Sequence, residues 1–292
     1  MKSVLITGTT GLVGSHLHEY LSTITPWDVT GISRSPGTHV DAVVDLTDKQ
    51  ATESLRSRGE YDFIVHTAAL TKTDICENNK QECHRINVEA TRNLVNIFPA
   101  SKFVFFSTYA VYNTPEGNCR ETDPISPTNY YISTKIEAEE IVNSLAGSII
   151  LRPSVIFGYT RFTRQTKNYF MQLLENVKNN KKMQSPLDQY FNPVHVEVVS
   201  SIIGDLLKKD QQGVFNIGCN ENISKYAFNR KVMNRFGFAE HLLEGIGSRT
   251  LQVTRPNNGT ISSKKVQDTL HYTMPTLDQM IEQVFHSVEG AE

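Results

Sequence analysis

Three glycines, Gly8, Gly11 and Gly14, punctuate the run TGTTGLVG, with the apolar segment SVLIT (3–7) before it and LVGSHLHEYL (12–21) after it. Few folds put that spacing between a strand and a helix. The first glycine permits a tight turn, the second lets backbone approach a pyrophosphate, and the third lets the helix pack close to the strand. The helix N-terminus then offers unpaired N–H groups and the positive end of its dipole to phosphates. A glycine pattern in isolation is weak evidence. At the first strand–helix turn of the chain it has the context that dinucleotide binding requires. Thr10, Leu12 and Val13 share the loop and belong to the same cofactor-binding set.

The sequence beyond the loop keeps this rhythm. DVTGIS (28–33), DAVVDL (41–46), YDFIVHTA (61–68), KFVFFST (102–108) and SIILR (148–152) read as strands separated by helical segments. In one such segment, 82–98, Ile86, Ala90, Leu94 and Ile97 recur at helical spacing. Short apolar strands alternating with helices imply crossover units, a parallel sheet covered on both faces, and ligands at the carboxyl ends of the strands. The expected fold is α/β: a Rossmann-type doubly wound parallel sheet with a smaller C-terminal substrate lobe. Residues 1–152 form the dinucleotide domain, strands around 190–218 (YFNPVHV and GVFNIG) return to it, and 153–189 with 219–292 form the lobe.

Composition narrows function by exclusion. A net charge of −2 over 292 residues offers no field for a nucleic acid backbone or an anionic membrane. Apolar runs such as FVFF fall far short of a membrane span. MKSVLITG passes straight into strand-like sequence without a signal-peptide core, so a cytoplasmic protein is expected. Cys76, Cys83, Cys119 and Cys219 form no CxxC pair and read as free thiols, with no metal site expected. The lysines of NVKNNKKM (176–183) read as a solvated face.

Cofactor identity turns on the end of the second strand. An acid about 20 residues past the glycines would hold the ribose hydroxyls of NAD, whereas arginine suits the extra phosphate of NADP. GISRS places Ser33 and Arg34 there, so NADP(H) is the expected cofactor and NAD(H) the alternative. Asp45 stands either against the adenine or as N-cap of a helix over 48–58.

The chemistry lies in NYYISTK, where Tyr131 and Lys135 are one helical turn apart. A nearby ammonium and an oxidised nicotinamide favour ionisation of a phenol whose ordinary pKa is about 10. Tyr131 is thus the expected acid that protonates a carbonyl oxygen during hydride delivery. Lys135 would lower its pKa and hold the nicotinamide ribose. Thr108, with Ser107 as fallback, would orient the carbonyl.

With TAA (67–69), NVEATRNL (87–94), the hydroxyl-x-x-Val-Tyr run (108–112) and LRPSVIFG (151–158), these motifs resemble the extended short-chain dehydrogenase/reductases. The nearest subgroup is dTDP-4-dehydrorhamnose reductase and its relatives, over nearly the whole chain. The resemblance implies that Thr67, Ala68, Ala69 and Thr71 line the nicotinamide side, with Leu46 also on the cofactor and Pro153 covering the carboxamide. It implies that Asn87 supports Lys135 through a water, a satisfied polar group inside a helix being the equal alternative. It further implies a small-molecule partner, a nucleotide-activated keto-sugar touched by Thr108, Val155 and Arg255, and is compatible with a homodimer. Two positions depart from the subgroup: Tyr109-Ala110 where an aspartate and a tyrosine are frequent, and Val155 where a tryptophan meets the sugar. Tyr109-Ala110 also lacks the acid pair of a sugar-nucleotide dehydratase.

Two other functions use the same scaffold. A sugar-nucleotide epimerase would keep NAD tightly bound, against which Ser33-Arg34 speaks. A regulatory, NADP-binding subunit, of the kind found in methionine adenosyltransferase, tends to erode the catalytic set, and Thr108, Tyr131 and Lys135 are all present. Asp188 and Gln189 match positions near the lobe entrance or stabilise a turn. His195 and Trp27 read as structural residues.

Overall fold

In the computed structural model, residues 1–160, 168–248 and 257–290 are described. Each apolar run alternates with period two, and two separate cores absorb the alternation. In β1 (Ser3–Thr7), Val4 and Ile6 enter one core with Val65, Val104 and Leu151, while Leu5 enters the other with Ile64, Phe103 and Phe105. Burial on both sides suits a parallel sheet. β1 is joined by β2 (Asp28–Ser33), β3 (Ala42–Val43), β4 (Phe63–His66), β5 (Lys102–Phe106), β6 (Ile149–Pro153) and a seventh strand, Gly213–Ile217. All are parallel, in the order Gly213–Ile217, β6, β5, β4, β1, β2, β3. The order reverses beside β1, which is where such sheets bind ligands.

Helix α1 (Leu12–Ile24) and the helix Val196–Lys208 cover the first face. They meet closely at Gly204, where an added Cβ would lie 2.9 Å from the Tyr20 ring. The second face takes the helices Ala90–Ile97 and Tyr130–Asn143 through Leu94, Ala138 and Val142. Trp27 packs on Phe63 with ring centres 5.3 Å apart.

Several elements differ from their sequence-based outlines. The 41–46 strand shrinks to Ala42–Val43, because the Asp41 carboxylate turns back to accept the Gly31 N–H at 2.7 Å. The 82–98 helix starts at Lys80 and widens into a π-turn over Arg85–Glu89. YFNPVHV does not return to the main sheet. Pro193 splits it into Tyr190–Phe191, antiparallel to Ile223–Ser224, and Val194–His195, parallel to Ile156–Phe157. GVFNI does pair with β6.

The short strands are accompanied by the helices Tyr169–Lys178, Lys225–Arg235 and Leu277–Glu289. In this part of the chain Phe157, Phe170 and Phe228 belong to the same core as the sheet's first face. All four cysteines are free and buried. Among the described residues no helix is long and apolar enough to cross a membrane.

Candidate functional site

At the end of β1, Gly8 takes φ +75°, and an added Cβ would lie 2.9 Å from the Ala68 N. A Cβ on Gly14 would fall 2.4 Å from the Gly8 carbonyl oxygen. Gly11 is the N-cap of α1 and supplies no side-chain cap, so the first-turn N–H groups, those of Leu12 and Val13 included, face outward for an anion.

A cavity of about 310 Å³ opens over these strand ends. Gly8, Thr10, Gly11, Ser33, Arg34, Asp45, Leu46, Thr67, Ala68 and Ala69 line it. Thr10 Oγ1 and Ser33 Oγ share a hydrogen bond of 2.7 Å that ties the glycine loop to the end of β2. Thr47, Ile86 and Ala90 also line the cavity, though sequence reading left them out. The helical spacing that marks Ile86 and Ala90 as packing positions does not tell that their helix edge reaches the cleft.

Asp45 is not the helix cap. Its carboxylate accepts the Thr47 N–H at 3.0 Å and hydroxyl at 2.7 Å, whereas Asp48 caps Lys49–Glu53 by accepting from Gln50 and Ala51. Desolvation pushes the Asp45 carboxyl up, but the Thr47 hydrogen bonds and the fields of Arg85 and Arg34 leave it below its usual range.

Tyr131 and Lys135 lie on the helix Tyr130–Asn143, which Asn129 caps by accepting the Ile132 N–H at 3.0 Å. Lys135 is buried, its ammonium 4.1 Å from the centre of the Phe105 ring. The expected acidification of Tyr131 does not appear. Burial pushes the phenol well above its ordinary range, with Cys76, Tyr109 and Cys83 adding to the rise. Burial likewise pulls Lys135 down to about 7, against the opposing field of Glu139. Desolvation outweighs the pairing that helical spacing suggests. Glu139 is itself engaged by Arg152, at 2.6 and 3.0 Å, inside the core.

Thr108 caps the turn Tyr109–Val111, its oxygen accepting the Ala110 N–H at 3.2 Å, which leaves its proton to donate. Ser107 Oγ is buried and bonds to no described residue. Asn87 is a satisfied polar group inside its helix. It accepts the Leu70 N–H at 2.8 Å and donates to the Leu70 carbonyl at 3.1 Å and to Thr134 Oγ1 at 3.0 Å. It thereby clamps the loop after Ala69 to the Tyr131 helix. Sequence reading also passed over His66, held between Thr7 Oγ1 (2.7 Å) and Thr91 Oγ1 (3.1 Å), its pKa lowered by burial to about 3.

Among the described residues the cleft wall does not include Thr71, which is exposed, or Pro153, which is buried at the end of β6. Nor does it include Thr108, Tyr131 or Lys135. Val155 lines a second cavity, of about 120 Å³, with Tyr109, Tyr169, Gln189, Tyr190, Phe191 and Lys225. Arg255 lies outside the described residues. His195 is buried against Phe157, and Asp188 holds a turn by accepting from Ser248 N and Oγ at 2.8 and 2.9 Å.

The family model described as the RmlD substrate binding domain matches residues 1–289. The chain belongs to this family. The RmlD family is part of the extended short-chain dehydrogenase/reductase superfamily, as the motifs imply. Methionine adenosyltransferase 2 subunit beta of Pongo abelii is 26% identical over 276 residues, covering 91% of this chain and 82% of that protein. A hypothetical dTDP-4-dehydrorhamnose reductase from Sulfolobus tokodaii is 27% identical, covering 95% of this chain and 98% of its own, with a TM-score of 0.81. The dTDP-4-dehydrorhamnose reductase of Bacillus anthracis str. Ames, solved in complex with NADP, shares the fold at TM-score 0.87, with 22% identity over 98% of this chain and 100% of that one. The cleft fits a dinucleotide on its own geometry: at Gly8 and Gly14 an added Cβ would force the glycine turn away from its neighbours, and the α1 N-terminus beside it is uncapped.

Proposed function

We propose that this chain is an NADP(H)-dependent oxidoreductase, with NAD(H) the second choice, that reduces a keto group of a nucleotide-activated sugar. One observation carries the reading: Ala69 lines a cleft bordered by the glycine turn, and Asn87 ties the loop after Ala69 to the helix bearing Tyr131 and Lys135. A nicotinamide held in this cleft would supply the hydride for carbonyl reduction. The protein's own groups manage position and the proton. Thr108 donates its hydroxyl proton in a hydrogen bond to the carbonyl oxygen. Tyr131, kept protonated by burial, transfers its proton to that oxygen as negative charge develops there. Lys135 holds the nicotinamide ribose.

Tyr131→Phe removes the hydroxyl alone. Turnover is expected to fall by ~10²–10⁴-fold, while NADPH affinity, measured by fluorescence titration, stays unchanged. Near wild-type turnover would exclude Tyr131 as the acid.

The likeness to methionine adenosyltransferase 2 subunit beta supports a second reading, a non-catalytic NADP-binding regulatory subunit. Co-purification with a partner enzyme, and no NADPH oxidation against dTDP-, UDP- and GDP-keto-sugars, would select it.

A further inference from the structure

β1 and β4 are neighbouring strands, and their ends are cross-tied beside the cofactor cleft. Thr67 Oγ1 donates to the Thr7 carbonyl at 2.6 Å, and the Ala68 N–H donates to Thr7 Oγ1 at 3.2 Å. Ala68 and Gly8 both line the cavity, and a Cβ added to Gly8 would lie 3.0 Å from Ala68 Cα. One buried side chain links this junction to the helices beyond it: His66, the last residue of β4.

His66 meets Thr7 Oγ1 through Nδ1 and Thr91 Oγ1 through Nε2. The hydroxyl protons decide which ring nitrogen carries the hydrogen. Thr91 has a single proton and gives it to the Asn87 carbonyl at 2.8 Å, so its oxygen accepts from Nε2. Nδ1 is then bare and takes the Thr7 proton, while the Thr7 oxygen accepts the Ala68 N–H. The opposite tautomer would aim Nδ1–H at that same oxygen and leave the Thr7 proton without an acceptor among the described residues. Thr7, His66 and Thr91 are all buried, where an unmade hydrogen bond costs most.

The chain continues past Thr91. Asn87 Nδ2 donates to Thr134 Oγ1 at 3.0 Å, and Thr134 donates to the Tyr131 carbonyl at 2.7 Å. Hydrogen bonds thus run from the Ala68 backbone, through His66 and Asn87, to the backbone of Tyr131.

We propose that His66, as the Nε2–H tautomer, is a positioning residue: it fixes Thr7 and Ala68 at the cleft and ties them through Thr91 and Asn87 to the helix that carries Tyr131. The inference rests on the proposed reading for what the cleft holds; the tautomer does not depend on that reading or on turnover.

Long-range ¹H–¹⁵N correlation spectra of the wild-type chain at pH 7 read the tautomer, and fluorescence titration reads NADPH affinity. The spectra show His66 neutral with its hydrogen on Nε2. His66→Leu, which removes both ring nitrogens, weakens NADPH binding about tenfold, the scale of a lost buried hydrogen bond. His66→Asn places a carbonyl oxygen near the Nδ1 position, keeps the acceptor for Thr7 and restores most of the affinity. His66→Gln supplies only the donor for Thr91 and binds more weakly than His66→Asn, a comparison that stands even where His66→Leu fails to fold. A hydrogen on Nδ1, a charged ring, wild-type affinity in His66→Leu, or equal affinity in His66→Asn and His66→Gln overturns the assignment. The expected order of affinities in a protein that oxidises no NADPH with any keto-sugar leaves the assignment standing and overturns the reductase reading.

Discussion

The two cavities are built by opposite means. The cofactor cleft is largely a backbone construction: a glycine turn and an uncapped helix end border it, two missing Cβ atoms allow the turn and helix to pack closely, and Arg34 and Asp45 add formal charges at its wall. The second cavity is a side-chain construction, with four aromatic rings, an amide and an ammonium contributed by separate segments of chain. A backbone site tolerates little change at its glycines and wide change elsewhere. A side-chain site is the reverse, so its ligand can drift while the fold and cofactor stay put. The difference predicts which substitutions each site will feel.

Gly14→Ala should produce the largest effect. Its methyl group would enter the space of the Gly8 carbonyl, 2.4 Å away, and both partners are backbone. Overpacking of this kind costs about 1–3 kcal/mol. The variant should show a lowered denaturation midpoint and weakened NADPH binding. Unchanged cofactor affinity would mean that the helix end is not held by close approach. Val155→Trp tests the other site. An indole fills most of a 120 Å³ space, so the KM for a keto-sugar should rise about tenfold, near 1.4 kcal/mol, with NADPH affinity unchanged. A lower KM for a deoxysugar would instead mark the cavity as a gap left by the smaller residue.

This contrast also explains what the sequence made legible. β1, β4 and β5 could be outlined because the alternation in Val4-Leu5-Ile6 and Phe103-Val104-Phe105 is local and carries its own period. Gly8, Gly11 and Gly14 were readable for the same reason. Tyr169, Gln189 and Lys225 carry no shared spacing, and only the packing of the lobe brings them together. Asp45 and Asp48 stand three residues apart before one helix, so which of them caps it depends on the turn that Thr47 makes. For Tyr131 helical spacing names Lys135 as the neighbour, whereas the phenol's ionisation without a bound nicotinamide follows from how much of the protein covers it.

Arg34→Ala sharpens the cleft side. Arg34 is exposed at the cavity wall, so its interaction with a ribose phosphate is partly screened. The ratio of kcat/KM for NADPH over NADH should fall about tenfold, the low end for a charge-assisted hydrogen bond. A preference for NADPH that survives would move the selection to Thr10, Ser33 and the backbone, making the cleft still more a main-chain device.

The last expected effect concerns Lys135, a side chain that must work beneath a backbone-built site. Between pH 7 and about 10 the unfolded chain keeps this proton, while the folded chain, with Lys135 at about 7, has released it. The unfolded state then binds more protons, so this group makes stability rise with pH through that window. Below pH 7 both states are protonated and the full cost of burying the ammonium is felt. Lys135→Met should therefore be more stable than the wild type at pH 6, with a margin that narrows steadily toward pH 10. Urea unfolding at intervals of one pH unit measures it. Parallel curves for the two proteins would mean that Glu139 neutralises Lys135 fully, so that the ammonium beside Phe105 is a fixed charge at every working pH.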